Sequence, residues 1–271
     1  MAFQIKGFGS KQEPHTAASV YDSPKQSAAP RKSVVQVRFP GKGMALAYYN
    51  DQFDLKVGDR VYVDGKLEGQ LGRVVGISYK FKIKVSEYKK VIAVCDTDVG
   101  GQLYLAGSHF ITFDSAVLPV KQVSLWFKAP NKEEEEVVSS SDDTFFSLDD
   151  LSGMNITNAI AQRGHEYYME NRVQYICING TNGYAIVEGN QSYAIEFEYR
   201  NGSINNLICD CPCCCSCKHE FAAMLQLRKT LELIEKHYPN EYARSDYFAA
   251  ITKGAFFSFV IAGKESGSFV M

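Results

Sequence analysis

Hydrophobic and polar positions alternate along much of the chain between Val34 and Phe127. Alternation with period two places successive side chains on opposite faces of an extended segment, and Gly or Asp turns separate the runs. These runs predict short strands at 34–39, 60–63, 71–75, 79–85, 91–94, 102–105, 110–113 and 123–127. Many short strands at this spacing favour a small all-β barrel or sandwich over residues 33–128.

A different order of elements is predicted from residue 151 to residue 271. A first helix carries Ile156, Ile160 and Tyr167, and strands with Asn-Gly or Gly-Asn turns between them follow. A second helix should run from His219 to about Lys236, because its apolar residues recur at helical spacing. After Asn240 we expect an aromatic segment that packs as a tail. The predicted fold class of the whole chain is α+β.

Charge divides the chain further. Residues 1–32 are polar and lack apolar periodicity, so we expect a disordered tail. Residues 129–150 form an acidic linker, since the part from 131 to 150 holds one basic and eight acidic residues that repel one another. The apolar cluster of Phe145, Phe146 and Leu148 at its end is expected to dock on a domain.

The 271 residues, 45% of them hydrophobic, are enough for two small domains. No apolar run reaches the length of about 20 residues that spans a bilayer, and the N-terminus has no signal-peptide core. We therefore expect a cytoplasmic protein without a membrane partner. Two of its eight cysteines, Cys95 and Cys177, lie in apolar strand patterns and are predicted to be buried structural residues.

The other six cysteines lie in one short run that ends in a histidine. The run contains Cys209, Cys211, Cys213, Cys214, Cys215, Cys217 and His219. Thiolates and imidazole are the ligands of closed tetrahedral zinc sites, whereas adjacent cysteines suit disulfide geometry poorly. The run therefore predicts a metal site.

Two groupings of ligands are compatible with the run. Cys209-x-Cys211 and Cys217-x-His219 would bind one Zn²⁺, because a strand ending at Cys211 places its two cysteines on the same side. The spacing Cys211-x-x-Cys214-x-x-Cys217 would instead suit an iron–sulfur cluster, and a soft thiolate site could also take Cu(I). Zinc ranks first because a cluster leaves His219 unexplained. Cys213, Cys214 and Cys215 remain possible substitute ligands.

The C-x-C and C-x-H pairs, followed by an apolar helix, resemble the SWIM-type zinc finger. The resemblance covers about residues 154–236 and includes Ala159, Arg163–Gly164, Tyr167–Tyr168 and Arg172–Val173 upstream. It implies a zinc module for DNA binding or protein contact, in a family that accompanies Swi/Snf-class ATPases and Mutator-type transposases. The gap between the pairs departs from the family in being short and rich in cysteine.

No catalytic motif accompanies this resemblance. The chain has no P-loop, and His219–Glu220 lacks the second histidine of a zinc protease motif. We therefore expect a non-enzymatic stand-alone adaptor with no small-molecule substrate. Its partner would be nucleic acid or a protein of the DNA-processing machinery. A thiol-rich redox or metal-handling protein is the alternative.

One predicted strand, 79–85, bears Lys80, Lys82 and Lys84 on a single face. A row of lysines can follow the phosphates of a nucleic acid. It can also be the solvated outer face of a barrel, which we favour because the predicted lysine face carries no aromatic residue to stack on a base.

Overall fold

The computed structural model describes residues 2–9, 30–130, 145–213, 215–262, 264 and 266–270. Its contacts divide the chain into two compact units. The small unit contains the described residues 30–97 and 128–130, and the large unit contains 2–9, 98–127 and those from 145 onward. Sheets and helices occur together, so the predicted α+β class is confirmed.

Short strands form most of both units. In chain order they are β1 (Ala2–Gly9), β2 (Ser33–Arg38), β3 (Leu46–Asn50), β4 (Arg60–Val63), β5 (Gly72–Ser78), β6 (Val91–Cys95), β7 (Gly101–Ala106), β8 (His109–Thr112), β9 (Phe145–Ser147), β10 (Val173–Asn179), β11 (Asn182–Glu188), β12 (Ser192–Arg200), β13 (Ser203–Cys209), β14 (Tyr247–Thr252) and β15 (Ser266–Val270). The helices are α1 (Val120–Phe127), α2 (Asn158–Met169), α3 (Lys218–His237), α4 (Pro239–Ser245) and α5 (Lys253–Phe256). A π-helical turn, Phe257–Ile261, continues α5, and short 3-10 turns lie at Val85–Glu87 and Leu151–Met154.

The small unit is built on one antiparallel sheet of five strands in the order β3-β2-β5-β4-β6. Val35, Val37, Val61 and Val74 are fully buried in its core. The described strands do not close into the barrel or sandwich that the sequence predicts. The strand predicted at 79–85 is also wrong, because β5 ends at Ser78 and an exposed, bent segment follows. Its apolar side chains have no layer to cover them, so alternation alone does not hold them in a sheet.

The large unit contains an antiparallel sheet of ten strands in the order β15-β1-β7-β8-β14-β10-β11-β12-β13-β9. Four of them, β10 to β13, are the predicted meander. Helix α3 buries Ala222, Ala223, Met224 and Leu227 in the same apolar core as Ile176 of β10 and its neighbours. The segment expected to be a tail contains β14, whose six residues are all buried near the centre of the sheet. The prediction of a tail was wrong, because apolar and polar residues do not alternate in this segment and so gave no sign of a strand.

Two segments of the N-terminal half belong to this large sheet. Strand β1 pairs with β7 and β15 and buries Ile5, so residues 2–9 are ordered, while residues 10–29 lie outside the described residues. Strands β7 and β8 are present as predicted, but they join the large sheet. In place of a strand at 123–127 the chain forms α1, with Val123 and Trp126 buried on one side. A short apolar run fits either a strand or a helix, and here the spacing of three between buried residues is helical.

The end of the acidic linker docks on the large unit. Strand β9 pairs with β13, and Phe146 and Leu148 are each 4% exposed, which confirms the expected docking for these two residues, whereas Phe145 is 70% exposed. Most of the predicted linker, residues 131–144, lies outside the described residues. Among the described helices, none combines the length and apolar character that a membrane crossing requires.

Candidate metal centre

The candidate metal centre lies where β13 ends and α3 begins. Cys209 is the last residue of β13 and pairs with Ile195 of β12. The ladder continues beyond it, because Asp210 N donates to Ala194 O at 3.1 Å and Ala194 N donates to Asp210 Oδ1 at 2.9 Å. Cys217 is the N-cap of α3, and His219 lies in its first turn. Strand pairing and helix capping therefore position the two halves of the cluster.

Four potential ligand atoms converge there. The sulfurs of Cys209, Cys211 and Cys217 and a ring nitrogen of His219 lie within 4.8 Å of one another. The Nδ1 atom of His219 is 3.9 Å from Cys209 Sγ and 3.7 Å from Cys217 Sγ. Tetrahedral bonds to a zinc ion would separate sulfur from nitrogen by about 3.6 Å. The group therefore has a composition and size suited to hold a metal ion, with Nδ1 as the ligating nitrogen.

The four side chains are largely removed from water. Cys217 is 3% and His219 4% exposed, Cys211 is buried, and Cys209 is half-buried. A buried cluster of thiols favours the neutral form unless charge is compensated. Burial raises the pKa of Cys211. The site thus shields most of the surface of any ion that it holds from solvent.

The pKa values of Cys209 and Cys217 are shifted in opposite directions. A hydrogen bond from the Cys209 thiol lowers the pKa of Cys217, and His219 and the backbone N–H of Glu220 lower it further. The same pair interaction raises the pKa of Cys209. Cys217 is therefore the first thiolate of the group. Metal binding would displace the remaining thiol protons, because cysteine binds metals as the thiolate.

Aromatic rings hold the imidazole of His219. The Tyr193 ring stacks on it at 4.4 Å between centroids, and the Tyr167 ring lies tilted at 5.5 Å. Gly189 leaves the room for this arrangement, because a Cβ there would lie 2.8 Å from the Tyr193 ring and 3.2 Å from His219 Nε2. Sequence reasoning missed Tyr193 and Gly189. The only signal was the Gly189–Asn190 turn, which predicts a hairpin and not a ligand environment.

The upstream residues of the SWIM resemblance also gather around α3. A Cβ on Gly164 would lie 2.9 Å from Lys218 O and from the Phe221 side chain, so α2 and α3 pack closely. The Tyr167 ring forms cation–π contacts with the Lys218 ammonium and the Arg172 guanidinium, each 4.7 Å from the ring centroid. These contacts explain why glycine, tyrosine and arginine suit positions 164, 167 and 172.

The helix start is fixed by a capping box. Glu220 Oε2 accepts a hydrogen bond of 2.8 Å from Cys217 N, and the Cys217 sulfur accepts one from the Glu220 backbone. Burial, together with the charge of Cys217, raises the pKa of Glu220 to about 8. The spacing Cys217-x-x-Glu220 is that of an ordinary capping box, with sulfur in place of a hydroxyl.

Among the described residues, the cysteines between the two pairs are not part of the group of four converging ligands, although the Cys213 side chain forms a hydrogen bond with Cys211. Cys213 and Cys215 are exposed, while Cys214 lies outside the described residues. The Cys213 backbone N–H donates to the Cys211 sulfur, which lowers the pKa of that thiol somewhat. Elsewhere, burial raises the pKa of Cys95 to about 12 and that of Cys177 to about 11, as expected for structural thiols.

The three lysines Lys80, Lys82 and Lys84 are exposed in the small unit. They lie in the bent segment after β5 and not on a strand face.

Comparisons of the chain with protein-family models, curated proteins and solved structures gave no significant match. The resemblance to the SWIM-type zinc finger therefore stays a prediction from the motif.

Proposed function

We propose that the chain is an interaction protein whose large unit is stabilised by one structural Zn²⁺. Cys209, Cys211, Cys217 and His219 would bind the ion. The observation that carries this proposal is the convergence of their ligand atoms within 4.8 Å at a strand–helix junction. Three thiolates and one imidazole are a common closed zinc set, whereas iron–sulfur clusters are usually held by cysteines alone and Cu(I) prefers sulfur ligands.

Four protein ligands would fill a tetrahedral site and leave no position for water or substrate. A site of this kind supports a non-enzymatic role. Together with the SWIM-like motif, it favours a cytoplasmic adaptor that contacts nucleic acid or a protein of the DNA-processing machinery. The reduced thiols fit that compartment.

Metal analysis of the full chain, purified under reducing conditions, tests the proposal. We expect one zinc per chain and no inorganic sulfide. Replacement by Co²⁺ should give the strong visible absorption of a tetrahedral thiolate site. Iron with sulfide, or full zinc retention in Cys217→Ser, would contradict the proposed ligands.

A thiol-based redox or metal-handling role is a second candidate. The exposure of Cys213 and Cys215 beside the cluster favours it. Alkylation of the zinc-loaded chain, read by mass spectrometry, separates the two roles. A structural site predicts labelling of Cys213 and Cys215 with protection of Cys209, Cys211 and Cys217. Reversible release of zinc by mild oxidant, with a matched change in partner binding, would favour the redox role.

A further inference from the structure

Residues 79–90, which we call the basic loop, connect β5 to β6 in the small unit. Every residue from 79 to 87 is exposed. Tyr79 is 49% and Phe81 41% exposed, and Ile83 and Val85 are similarly open to solvent. Because the segment is not a strand, alternation no longer assigns its exposed lysines and aromatic rings to opposite faces. The absence of aromatic residues on a lysine face, which argued against nucleic acid, therefore no longer applies.

Hydrogen bonds hold the basic loop in shape. Lys80 N donates to Ser78 Oγ at 3.1 Å, and Lys82 N donates to the Tyr88 hydroxyl at 3.2 Å. Glu87 N donates to Lys84 O at 2.9 Å within the 3-10 turn. A loop that is fixed before binding loses less conformational entropy when a ligand arrives.

The basic loop concentrates positive charge. It contains five lysines and one glutamate. Among the described residues, Lys80, Lys82 and Lys84 form no ion pair, while Lys90 at the base pairs with Asp51 at 3.7 Å. The Arg31 guanidinium adds a further charge 4.0 Å from the centroid of the Tyr79 ring. Exposed lysines that form no ion pair among the described residues suit a ligand with several negative charges.

The basic loop also contains two exposed aromatic residues, Tyr79 and Phe81. Tyr79 is stacked with Arg31, and Phe81 lies tilted against Tyr49 at 6.1 Å between centroids. Aromatic rings in a basic groove bind bases by stacking, and a single strand exposes base faces that a duplex conceals. An anionic lipid surface would also attract the lysines. However, the apolar side chains are about half covered along the surface, whereas membrane insertion needs them to project freely.

We propose that the basic loop binds single-stranded nucleic acid, with Lys80, Lys82 and Lys84 at phosphates and Tyr79 and Phe81 stacked on bases. This proposal rests on the proposed function in one respect, namely that the partner is a nucleic acid. It does not depend on the metal.

The test is fluorescence anisotropy of the zinc-loaded full chain with oligothymidylate and oligouridylate of about 15 nucleotides, close to the upper site size of one small binding domain. The charge variant is K80E/K82E/K84E, and its matched control is K42E/K56E/K66E, which reverses three other exposed lysines of the small unit. We expect the charge variant to weaken binding strongly. Its salt dependence should flatten by about 2 in log–log slope, since each phosphate contact on a single strand contributes about 0.7. The control should bind nearly as the parent does.

The stacking variant is Y79L/F81L, which keeps apolar volume and removes both rings. Loss of base stacking should weaken oligonucleotide binding about tenfold or more. Vesicles of anionic phospholipid are the second probe. If the basic loop bound lipid instead, the Y79L/F81L variant should bind the vesicles as well as the parent does. Circular dichroism of each variant verifies folding.

Four results would overturn the proposal: equal weakening by the charge variant and its control, unchanged affinity in Y79L/F81L, binding of vesicles without oligonucleotides, or no binding of oligonucleotides by the parent. If the parent binds oligonucleotides but neither loop variant changes the affinity, the basic loop is excluded while a nucleic-acid partner stands. Zinc content is measured on the same samples, so the metal proposal is judged separately.

Discussion

The candidate metal centre of the large unit is built from buried side chains, whereas the basic loop of the small unit is built from exposed ones. In the metal centre Cys217 and His219 are almost fully buried, and each contacts other members of the cluster. In the basic loop Lys80, Lys82 and Lys84 are exposed and form no ion pair among the described residues. Changes at the first site should therefore affect folding, and changes at the second should affect only binding.

The largest effect is expected for Cys217→Ala. Structural zinc contributes about 10–16 kcal/mol of apparent binding free energy, comparable to the stability of a whole domain. The variant should lose zinc and unfold the large unit, including β7, β8 and α1, while the small unit stays folded. Metal content, near-UV circular dichroism and limited proteolysis check this.

Cys213→Ala and Cys215→Ala are the matched controls, because both residues are exposed and outside the cluster. Each should keep zinc and parental stability. Loss of zinc in either control, with retention in Cys217→Ala, would replace the proposed ligand set by a thiolate cluster.

A smaller loss is expected for Gly164→Ala, which leaves the ligands unchanged. The added Cβ would lie 2.9 Å from Lys218 O, so α3 must shift at its ligand-bearing end. Overpacking costs about 1–3 kcal/mol, which outweighs the gain in helix propensity of about 1 kcal/mol. Urea denaturation gives the change in unfolding free energy.

Gly254→Ala is the control for that substitution, because it is also helical and its Cβ would meet nothing within 4 Å. It should be neutral or slightly stabilising. A Gly164→Ala variant more stable than the parent would show that α2 and α3 are not tightly packed there.

The pH dependence of the large unit should carry a contribution from His109. Burial is the main reason that its pKa is lowered from 6.5 to about 4, and nearby Lys253 lowers it further. Its Nε2–H donates to Val173 O at 3.0 Å, which favours the protonated ring, but burial outweighs this bond and the folded state holds the neutral ring. The unfolded state binds the extra proton between these two pKa values. Stability is therefore full above pH 6.5 and falls as the pH drops towards 4, by about 2 kcal/mol at pH 5.

Urea denaturation at pH 7.5 and pH 5 measures this slope in the parent and in His109→Gln, which cannot titrate. Loss in acid of any metal bound by the Cys/His cluster would affect both proteins equally, so the difference between the two slopes belongs to His109. Identical slopes would mean that His109 is not buried as a neutral ring.

The smallest effect is expected for the thermal stability of K80E/K82E/K84E. Exposed substitutions away from specific contacts usually change stability by no more than about 0.5 kcal/mol. Differential scanning calorimetry should give the parental unfolding temperature. A clear destabilisation would mean that the lysines support the small unit, and the contrast between the two regions would fail.

The sequence was enough to predict which four Cys and His side chains converge, because the rules involved are local. Alternation in β13 carries Cys209 to a strand end, and helical periodicity starts α3 at the C-x-H pair. The Asn-Gly turns likewise predicted the meander of β10 to β13. Each of these inferences depends on neighbours within a few residues.

Other features depend on contacts that are distant in the chain. Tyr193 and Gly189 meet His219 only because β11, β12 and α3 pack together. The alternation at 79–85 predicts a strand, but no second layer covers its apolar face. The central place of β14 follows from pairing with β8 and β10, which the sequence of β14 does not encode by itself.

That central place has a consequence for synthesis of the chain. Strand β14 separates β8 from β10, so the large sheet is two incomplete halves until β14 has left the ribosome. Contacts of such long sequence separation form slowly and leave strand edges open to wrong pairing in the meantime. The meander and the Cys/His cluster are made earlier. A metal ion bound by the cluster would therefore stabilise the meander before the sheet closes and shorten the time for which the nascent chain is vulnerable to aggregation.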